Sequence, residues 1–376
     1  MGYALSTIWF ERQRFLPAIL AVAFSAILIA VQGGLMIGLL SMMSLPIDKS
    51  TADVWVGYPG VRSVDLGRPI PERWVTRVAS QPGVERVESA LVGFSLWTRE
   101  NPGSPPTTEV CTVVGSRLEP DSLAAVEDLR KNRELMASLA KPFTVAVDES
   151  EIGRLGIHRI GDKAQVFGRT VQVVGTVKGY RSLGGPYVFC SRDTARVLLR
   201  HEQSEVTYFV ARCRSAEAAE NVATRLNGNY LFAYTSDEFS QKSRLHWLTT
   251  TKAGIAIGFT ALLGLLVGAV VTSQTLYAAT AASQREYATL RAMGIPSWRL
   301  QLTVVIQSLW VGFFGLMVAI PLTLLLAEAA SMAGTQVRLH PYVLTGATVV
   351  TMVMALGSGL AALRSFQGVD PAHNIR

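Results

Sequence analysis

Four long stretches of the chain contain no aspartate, glutamate, lysine or arginine and are dense in aliphatic residues. They cover residues 15–47, 253–284, 300–327 and 339–363. About 20 apolar residues cross a bilayer, and buried helices of soluble bundles seldom run this far without a charge. The pattern predicts four transmembrane helices, at residues 15–47, 248–284, 300–328 and 341–364. The first stretch is too long for the apolar segment of a cleaved signal peptide.

A polar segment separates the first predicted span from the second. Residues 48–252 hold 27 of the 35 lysines and arginines and 24 of the 28 aspartates and glutamates. Short runs with strand and helix periodicity alternate through this segment. These patterns predict an α-helical membrane protein with four transmembrane helices and a large external α+β domain at residues 48–247.

The order of the runs suggests how this domain folds. A strand at 54–56, a helix at 69–80 and strands at 84–87, 90–97 and 110–115 come first. A strand at 206–210, a helix at 216–226 and a strand at 230–233 come much later. Together they predict a β-α-β sandwich that is split in the sequence.

The interruption in that sandwich predicts an inserted, mostly β lobe at about residues 142–200. It holds a strand at 143–147, a helix capped near Asp148 that ends at Gly156, and a hairpin at 164–174. We expect the hairpin to turn at Gly168-Arg169. Residues 101–108 contain three prolines, and they predict an exposed loop.

The distribution of arginines predicts the orientation. Residues 1–14, 285–299 and 364–376 hold seven of the eight arginines outside the large domain, whereas the short loop at 329–340 holds one. The positive-inside rule places the arginine-rich segments and both termini in the cytoplasm of a bacterial inner membrane, with the large domain in the periplasm. The net charge of +7 divides into +3 for residues 48–252 and +4 for the rest, so nucleic-acid binding has no support.

Catalytic motifs are missing from the sequence. It contains no P-loop, no Gly-x-Ser-x-Gly, no His-Glu-x-x-His and no dinucleotide fingerprint, and its five histidines are scattered. We expect no catalytic, cofactor-binding or metal-binding residue. The three cysteines, Cys111, Cys190 and Cys213, have no metal-ligand spacing, and they suggest small buried side chains more than a disulfide.

Small residues four apart recur in the predicted spans. Such spacing lets helix backbones approach closely, within the chain or across a dimer. The residues predicted to pack in this way are Gly34, Gly38, Gly254, Gly258, Gly264 and Gly268.

The segment between the second and third spans mixes charged with apolar residues. Its pattern predicts one short amphipathic helix that ends at Gly294 and Pro296. A plain interfacial loop has the same composition, so the pattern alone leaves both possibilities open.

Arg285-Glu286-x-x-x-Leu290-Arg291-Ala292-x-Gly294 resembles the cytoplasmic segment of the FtsX/MacB/LolC-E-like (type VII) ABC transporter permeases. Asp370-Pro371-Ala372-x-x-x-Arg376 is similar to their C-terminal ending, and the arrangement of one span, a large domain and three spans is also theirs. Residues 147–190 and Gln32-x-Gly34 look closest to DevC-type exporter permeases.

The resemblance implies a permease that lacks its own ATPase and pairs with a separate ABC ATPase, which holds ATP and Mg. With only about 14 residues before the first span, we expect that ATPase on another chain. Residues 285–299 would be the coupling helix that docks on it. The docking residues would be Arg285, Glu286, Tyr287, Leu290, Arg291, Met293 and Gly294.

Three functions fit the resemblance. In the first, two permease copies, a periplasmic membrane-fusion adaptor and an outer-membrane duct export a lipid, glycolipid or similar amphiphile. ATP-driven closure would move the periplasmic domains, a process called mechanotransmission. The second is an FtsX-like regulator that transports nothing and activates a cell-wall hydrolase. The third is a lipoprotein-releasing permease that delivers to a soluble carrier.

Overall fold

The computed structural model describes residues 6, 10–101, 104–182, 184–228, 230–281, 289, 293, 295–332 and 339–366. The helices are α1 (Arg12–Ser41), α2 (Leu45–Asp48), α3 (Val75–Ala79), α4 (Glu127–Lys131), α5 (Arg133–Leu139), α6 (Ile152–Leu155), α7 (Arg192–Leu198), α8 (Ala216–Leu226), α9 (Ser236–Thr250), α10 (Lys252–Ala281), α11 (Ser297–Met332) and α12 (Pro341–Phe366). The strands are β1 (Val54–Gly57), β2 (Ile70–Pro71), β3 (Val84–Asn101), β4 (Ser104–Ser116), β5 (Thr144–Asp148), β6 (Lys163–Val166), β7 (Arg169–Val177), β8 (Tyr187–Ser191), β9 (Glu205–Val206), β10 (Tyr208–Cys213) and β11 (Phe232–Thr235).

The chain divides into two compact units. One consists of Met1–Gly38 with Ile255–Arg376, and the other is Leu39–Gly254. Among the described residues, four segments are long and apolar enough to cross a membrane, namely Arg12–Asp48, Gly254–Thr275, Trp298–Ala330 and Pro341–Leu360. The predicted fold class, four membrane helices with a large α/β domain between the first and second, is confirmed.

Within the helical unit, small residues let the long helices approach each other. A Cβ added to Gly359 of α12 would lie 2.5 Å from the Ser308 Oγ of α11, and one added to Gly315 of α11 would lie 2.7 Å from the Val22 side chain of α1. Val22 also packs with Val311 and Ala355 in a buried cluster. Side chains at these glycines would force the helices apart, because interiors are close-packed.

The first half of the domain is an antiparallel sheet in the order β11, β1, β10, β3. Successive side chains of a strand point to opposite faces. Val54 and Val56 of β1 therefore join the cluster covered by α3 and α8. Trp55 faces the other way and joins the cluster that contains Phe239 of α9. This is the predicted β-α-β sandwich.

The second half of the domain is a closed ring of six strands. The order β3, β4, β8, β5, β7, β6 is completed by a further pairing of β6 with β3, in which Trp97 lies opposite Val166. Alternate residues from all six strands join one buried cluster, which fills the ring. The predicted inserted lobe is thus wider than residues 142–200, since β4 and the second half of β3 also belong to it.

A single strand of 18 residues, β3, replaces the two strands predicted at 84–87 and 90–97. The polar pair Glu88-Ser89 lies between the two predicted strands, and both side chains are buried within the strand. The Glu88 carboxylate accepts bonds from the Ser122 hydroxyl at 2.9 Å and the Leu123 amide at 2.8 Å. β3 therefore runs without interruption from the first sheet into the ring.

Three further predictions in the domain were wrong in detail. Residues 101 and 104–108 of the predicted loop lie in strands, because the pairing of β3 with β4 extends as far as Asn101 and Ser104. The hairpin of β6 and β7 turns at Phe167-Gly168, one residue earlier than predicted, and both residues have positive φ. The helix expected over 69–80 is reduced to β2, a short 3-10 turn and α3.

Candidate functional site

Most of the predicted ATPase-docking segment lies outside the described residues. This holds for Arg285, Glu286, Tyr287, Leu290, Arg291 and Gly294. Met293 is described, and its side chain is 67% exposed. Just beyond it α11 begins, where the Arg299 guanidinium lies 5.4 Å from the centre of the exposed Trp298 ring. The docking role of the segment stays a prediction.

The glycines of the second long helix lie against the first. A Cβ on Gly264 would be 2.7 Å from Leu28, and a Cβ on Gly268 would be 3.3 Å from Ser25. The Ser25 hydroxyl donates to the Gly268 carbonyl at 3.2 Å and accepts from Thr272 at 3.1 Å. Residues 264, 268 and 272 therefore form one stripe along α10, four residues apart, that contacts α1.

The other predicted packing glycines have different surroundings. Gly34 and Gly38 are buried in α1. Gly254 lies where α9 gives way to α10, and a Cβ there would be 2.0 Å from the Trp247 carbonyl oxygen. Gly258 is half-buried. Sequence spacing identified the stripe on α10 but not the hydroxyl bonds that accompany it.

Polar contacts join the two segments by which the chain enters and leaves the domain. We call residues 42–48 together with α9 the neck. α9 begins with a capping box, in which Thr235 and Glu238 satisfy each other's backbone amides. Phe239 of α9 is buried against Trp55 and Tyr208. Met42 and Ile47 join the same cluster, so both arms of the neck are anchored in one core.

Asp48 joins the two arms of the neck. Its carboxylate accepts from the Ser240 hydroxyl at 2.6 Å and from the Arg244 guanidinium at 2.5 Å, both on α9. It also accepts from Ser44 at 2.8 Å, and Arg244 donates to that same hydroxyl at 2.8 Å. Charge-assisted bonds of this kind are stronger than neutral ones. The end of the first membrane segment is therefore tied to the helix that leads into the second.

A loop also contacts this face of α9. We call residues 58–69 the neck loop. The Val64 amide donates to Ser243 at 3.2 Å, and the Trp247 indole donates to Ser63 at 3.1 Å and to Asp65 at 3.3 Å. Burial raises the pKa of the Asp65 carboxyl, while its bonds to Ser63 and Trp247 oppose that rise.

A bond from the ring also reaches the neck. The Tyr187 hydroxyl of β8 donates to the Met42 carbonyl at 3.0 Å. Burial raises the pKa of this phenol, so it stays a neutral donor. The neck thus contacts the first sheet, the neck loop and the ring. Its polar residues were missed at the sequence level, although Asp48 is the first charge after the first apolar stretch.

Metal-binding clusters and reactive thiols are the catalytic features to look for in the described part of the chain. No cluster of three or more histidine, cysteine, aspartate or glutamate side chains that could hold a metal ion occurs among the described residues. The cysteines Cys111, Cys190 and Cys213 are free and buried, as predicted. Burial raises the pKa of the Cys111 thiol to about 12, so it is a poor nucleophile.

Two family models match the chain. The model described as MacB-like periplasmic core domain matches residues 15–228, and the model described as FtsX-like permease C-terminal matches residues 258–371. An uncharacterized ABC transporter permease from Mycobacterium bovis is 24% identical over 373 residues, which cover 98% of this chain and 97% of the relative. A second, from Mycobacterium tuberculosis, is 25% identical over 329 residues, which cover 87% of this chain and 85% of that one.

Two solved structures also align with it. The periplasmic region of MacB from Actinobacillus actinomycetemcomitans aligns over 52% of this chain and 94% of its own length, at 13% identity and a TM-score of 0.34. The extracellular domain of the noncanonic ABC-type transporter YknZ from Gram-positive bacteria covers 49% of this chain and 99% of its own, at 10% identity and a TM-score of 0.32.

Proposed function

The chain belongs to the ABC transporter permeases that combine a MacB-like periplasmic core domain with an FtsX-like C-terminal part, and from this we propose that it is the motion-transmitting subunit of an ATP-driven exporter. The family implies an ATPase partner. We place ATP hydrolysis on a separate subunit, with residues 285–299 docked on it. In this proposal both termini are cytoplasmic and the large domain is periplasmic.

The observation that carries the proposal is the neck. Motion transmission needs a stiff connection between membrane helices and the external domain. Asp48, Ser240 and Arg244 tie the end of the first membrane segment to α9. Met42, Ile47 and Phe239 fix both arms in one core. A displacement of the membrane helices would therefore be passed to the domain rather than absorbed in a flexible linker.

We propose a lipid, glycolipid or similar amphiphile as the cargo, handled by two permease copies, a periplasmic membrane-fusion adaptor and an outer-membrane duct. Charged side chains are scarce in the described parts of the spans. A polar solute that crossed the bilayer through these helices would call for polar lining residues. Cargo that is taken up outside the spans and moved by the domain does not require polar residues within the spans.

The first test is purification of the tagged chain from its own host in a mild detergent, with identification of co-eluting proteins by mass spectrometry. We expect an ABC ATPase together with a periplasmic adaptor. An ATPase with a cell-wall hydrolase would replace the exporter by a regulator, and an ATPase with a soluble lipoprotein carrier would replace it by lipoprotein release. Absence of an ATPase, where other ABC complexes of the host stay intact, would overturn the proposal.

A further inference from the structure

The base of the large domain lies only a short distance along the chain from the membrane segments. On the outgoing side, Trp247 comes seven residues before Gly254, where the second apolar segment begins. Even fully extended, seven residues reach no more than about 25 Å. On the incoming side, the domain core already includes Met42, which lies within the first apolar segment. On both sides, therefore, the neck is close along the chain to the apolar segments.

The neck loop is the part of the domain that is bound to this last portion of α9. Its contacts to α9 go to Ser243 and Trp247, in the second half of the helix. The loop is also bound to β10, since the Tyr208 hydroxyl donates to the Val64 carbonyl at 2.9 Å. The loop is therefore a fixed feature of the domain next to the neck.

The exposed side chains of the neck loop have the composition of a membrane interface. Tyr58 and Leu66 are each 40% exposed, and Arg62 and Arg68 are exposed beside them. The Arg68 guanidinium lies 5.6 Å from the centre of the Tyr58 ring. Tyrosine is enriched at the headgroup level of membranes, and arginine binds phosphate with its planar fork of donors.

The single acidic residue of the loop is turned away from this surface. Asp65 is only 6% exposed, and its carboxylate faces Ser63 and Trp247. The side chains that the loop offers to the outside are therefore basic, aromatic or aliphatic. This charge pattern complements an anionic lipid surface. A carboxylate exposed on the loop would instead be repelled by that surface.

We propose that the neck loop rests on the bilayer surface, with Arg62 and Arg68 binding the phosphates of anionic lipids and Tyr58 and Leu66 lying among the headgroups. The loop would hold the domain base against the membrane, so that displacement of α9 turns the domain rather than lifting it. This inference concerns lipid contact alone and does not depend on the ATPase partner or on the cargo.

The test uses the full-length protein in proteoliposomes. Leu66→Cys is labelled with an environment-sensitive fluorophore, and the bilayer carries a nitroxide on its headgroups. The three native cysteines are buried, so the label goes to the introduced thiol. Ile160→Cys, at a 64% exposed position in the ring half of the domain, is the matched control. We expect strong quenching at position 66 and weak quenching at position 160.

The lipid charge is then varied. We expect quenching at position 66 to rise when phosphatidylglycerol replaces phosphatidylcholine. Arg62→Gln with Arg68→Gln should reduce the ratio of docked to undocked loop roughly fivefold per arginine at an anionic surface. Arg159→Gln with Arg169→Gln, two exposed arginines elsewhere in the domain, should leave it unchanged. Equal quenching at positions 66 and 160 overturns the proposal. So does a probe at position 66 that is shielded from water but not quenched by the lipid nitroxide, because a protein surface would then cover the loop.

Discussion

At the scale of single residues, the neck depends on a few polar side chains whose roles differ with their surroundings. Asp48 is partly exposed, and its two carboxylate oxygens bond to three side chains. Asp65 is almost completely buried, and its charged form is opposed by the loss of water. The first carboxylate should therefore stabilise the fold through these bonds, whereas ionisation of the second should cost stability.

Replacing Asp48 with asparagine removes the charge but keeps the shape. We expect a loss of about 2 kcal/mol in the stability of the neck, because the bonds to Arg244 and Ser240 lose their charge assistance. The measurement is amide hydrogen exchange along α9, which should become faster. Asp237→Asn, on the exposed side of the same helix, is the control and should change little. Unchanged exchange in Asp48→Asn would show that the apolar core alone holds the neck.

Replacing Asp65 with asparagine should have the opposite effect on stability. The folded-state pKa of Asp65 is raised, so its contribution is most favourable at a pH below its unfolded value of 3.8 and declines as the pH rises through the folded value. Asparagine imitates the protonated form. We expect its melting temperature to equal or exceed that of the wild type at neutral pH and the difference to shrink near pH 4.

Asp162 provides the control for this pH dependence. Its pKa is lowered by bonds from the His158 and Arg159 amides, so its stabilising effect is present above its unfolded pKa and lost as the pH falls through the folded value. Asp162→Asn should therefore destabilise the protein at neutral pH. If both variants shifted the melting temperature in the same direction at neutral pH, the assignment for Asp65 would be wrong.

At the scale of secondary-structure elements, the membrane helices depend on small residues at fixed spacing. Gly264, Gly268 and Thr272 of α10 face Ser25 and Leu28 of α1. The glycines allow the backbones to approach, and the two hydroxyls bond where they meet. The hydroxyls fix the register along the helix axis, which glycine spacing alone leaves free.

Changing Gly264 and Gly268 to leucine should separate α1 from α10. Each added side chain would meet atoms of α1 at 2.7 to 3.3 Å from its Cβ, and we expect a cost of about 1–3 kcal/mol per site. Lower thermal stability and altered assembly on native gels would be the readout. Gly346→Leu and Gly357→Leu on α12, where a Cβ meets nothing within 4 Å in this chain, are the controls. Assembly and stability equal to the wild type would make the glycines incidental.

The elements that could be read from the sequence are those whose pattern is local. The four spans follow from runs without charge, and the cap at Asp148 with its αL residue Gly156 follows from residue type. The ring could not be foreseen, because the pairing of β6 with β3 joins residues about 70 positions apart. The buried Glu88 misled the strand boundaries, since its partners lie in a distant loop. The neck bonds were missed for the same reason.

At the scale of the whole molecule, one long helix separates the large domain from the segment predicted to dock on the ATPase. That segment is at 285–299, and the domain unit ends before Ile255. Among the described residues between them, the chain forms α10. A signal that passes from one to the other along the chain must therefore travel through this helix, which also carries the glycine stripe.

Leu290→Glu tests this connection. A carboxylate in place of an apolar docking contact should abolish stimulation of the ATPase by the permease, while membrane insertion stays intact because the change lies outside the spans. Leu290→Met, which keeps the volume and the apolar character, is the control. ATPase activity and complex formation at wild-type levels in Leu290→Glu would exclude residues 285–299 as the coupling helix.

The continuous course of β3 has a consequence for how such a domain can be altered. The strand β3 belongs both to the ring and to the neighbouring sheet. The ring and the sheet therefore share a strand, and an exchange of the whole ring needs one junction inside β3. A chimaera that exchanges residues 142–200 alone would replace four of the six ring strands. It would leave β4 and the second half of β3 without their native partners. A graft of the complete ring must therefore begin inside β3 and include the second half of that strand together with β4 to β8.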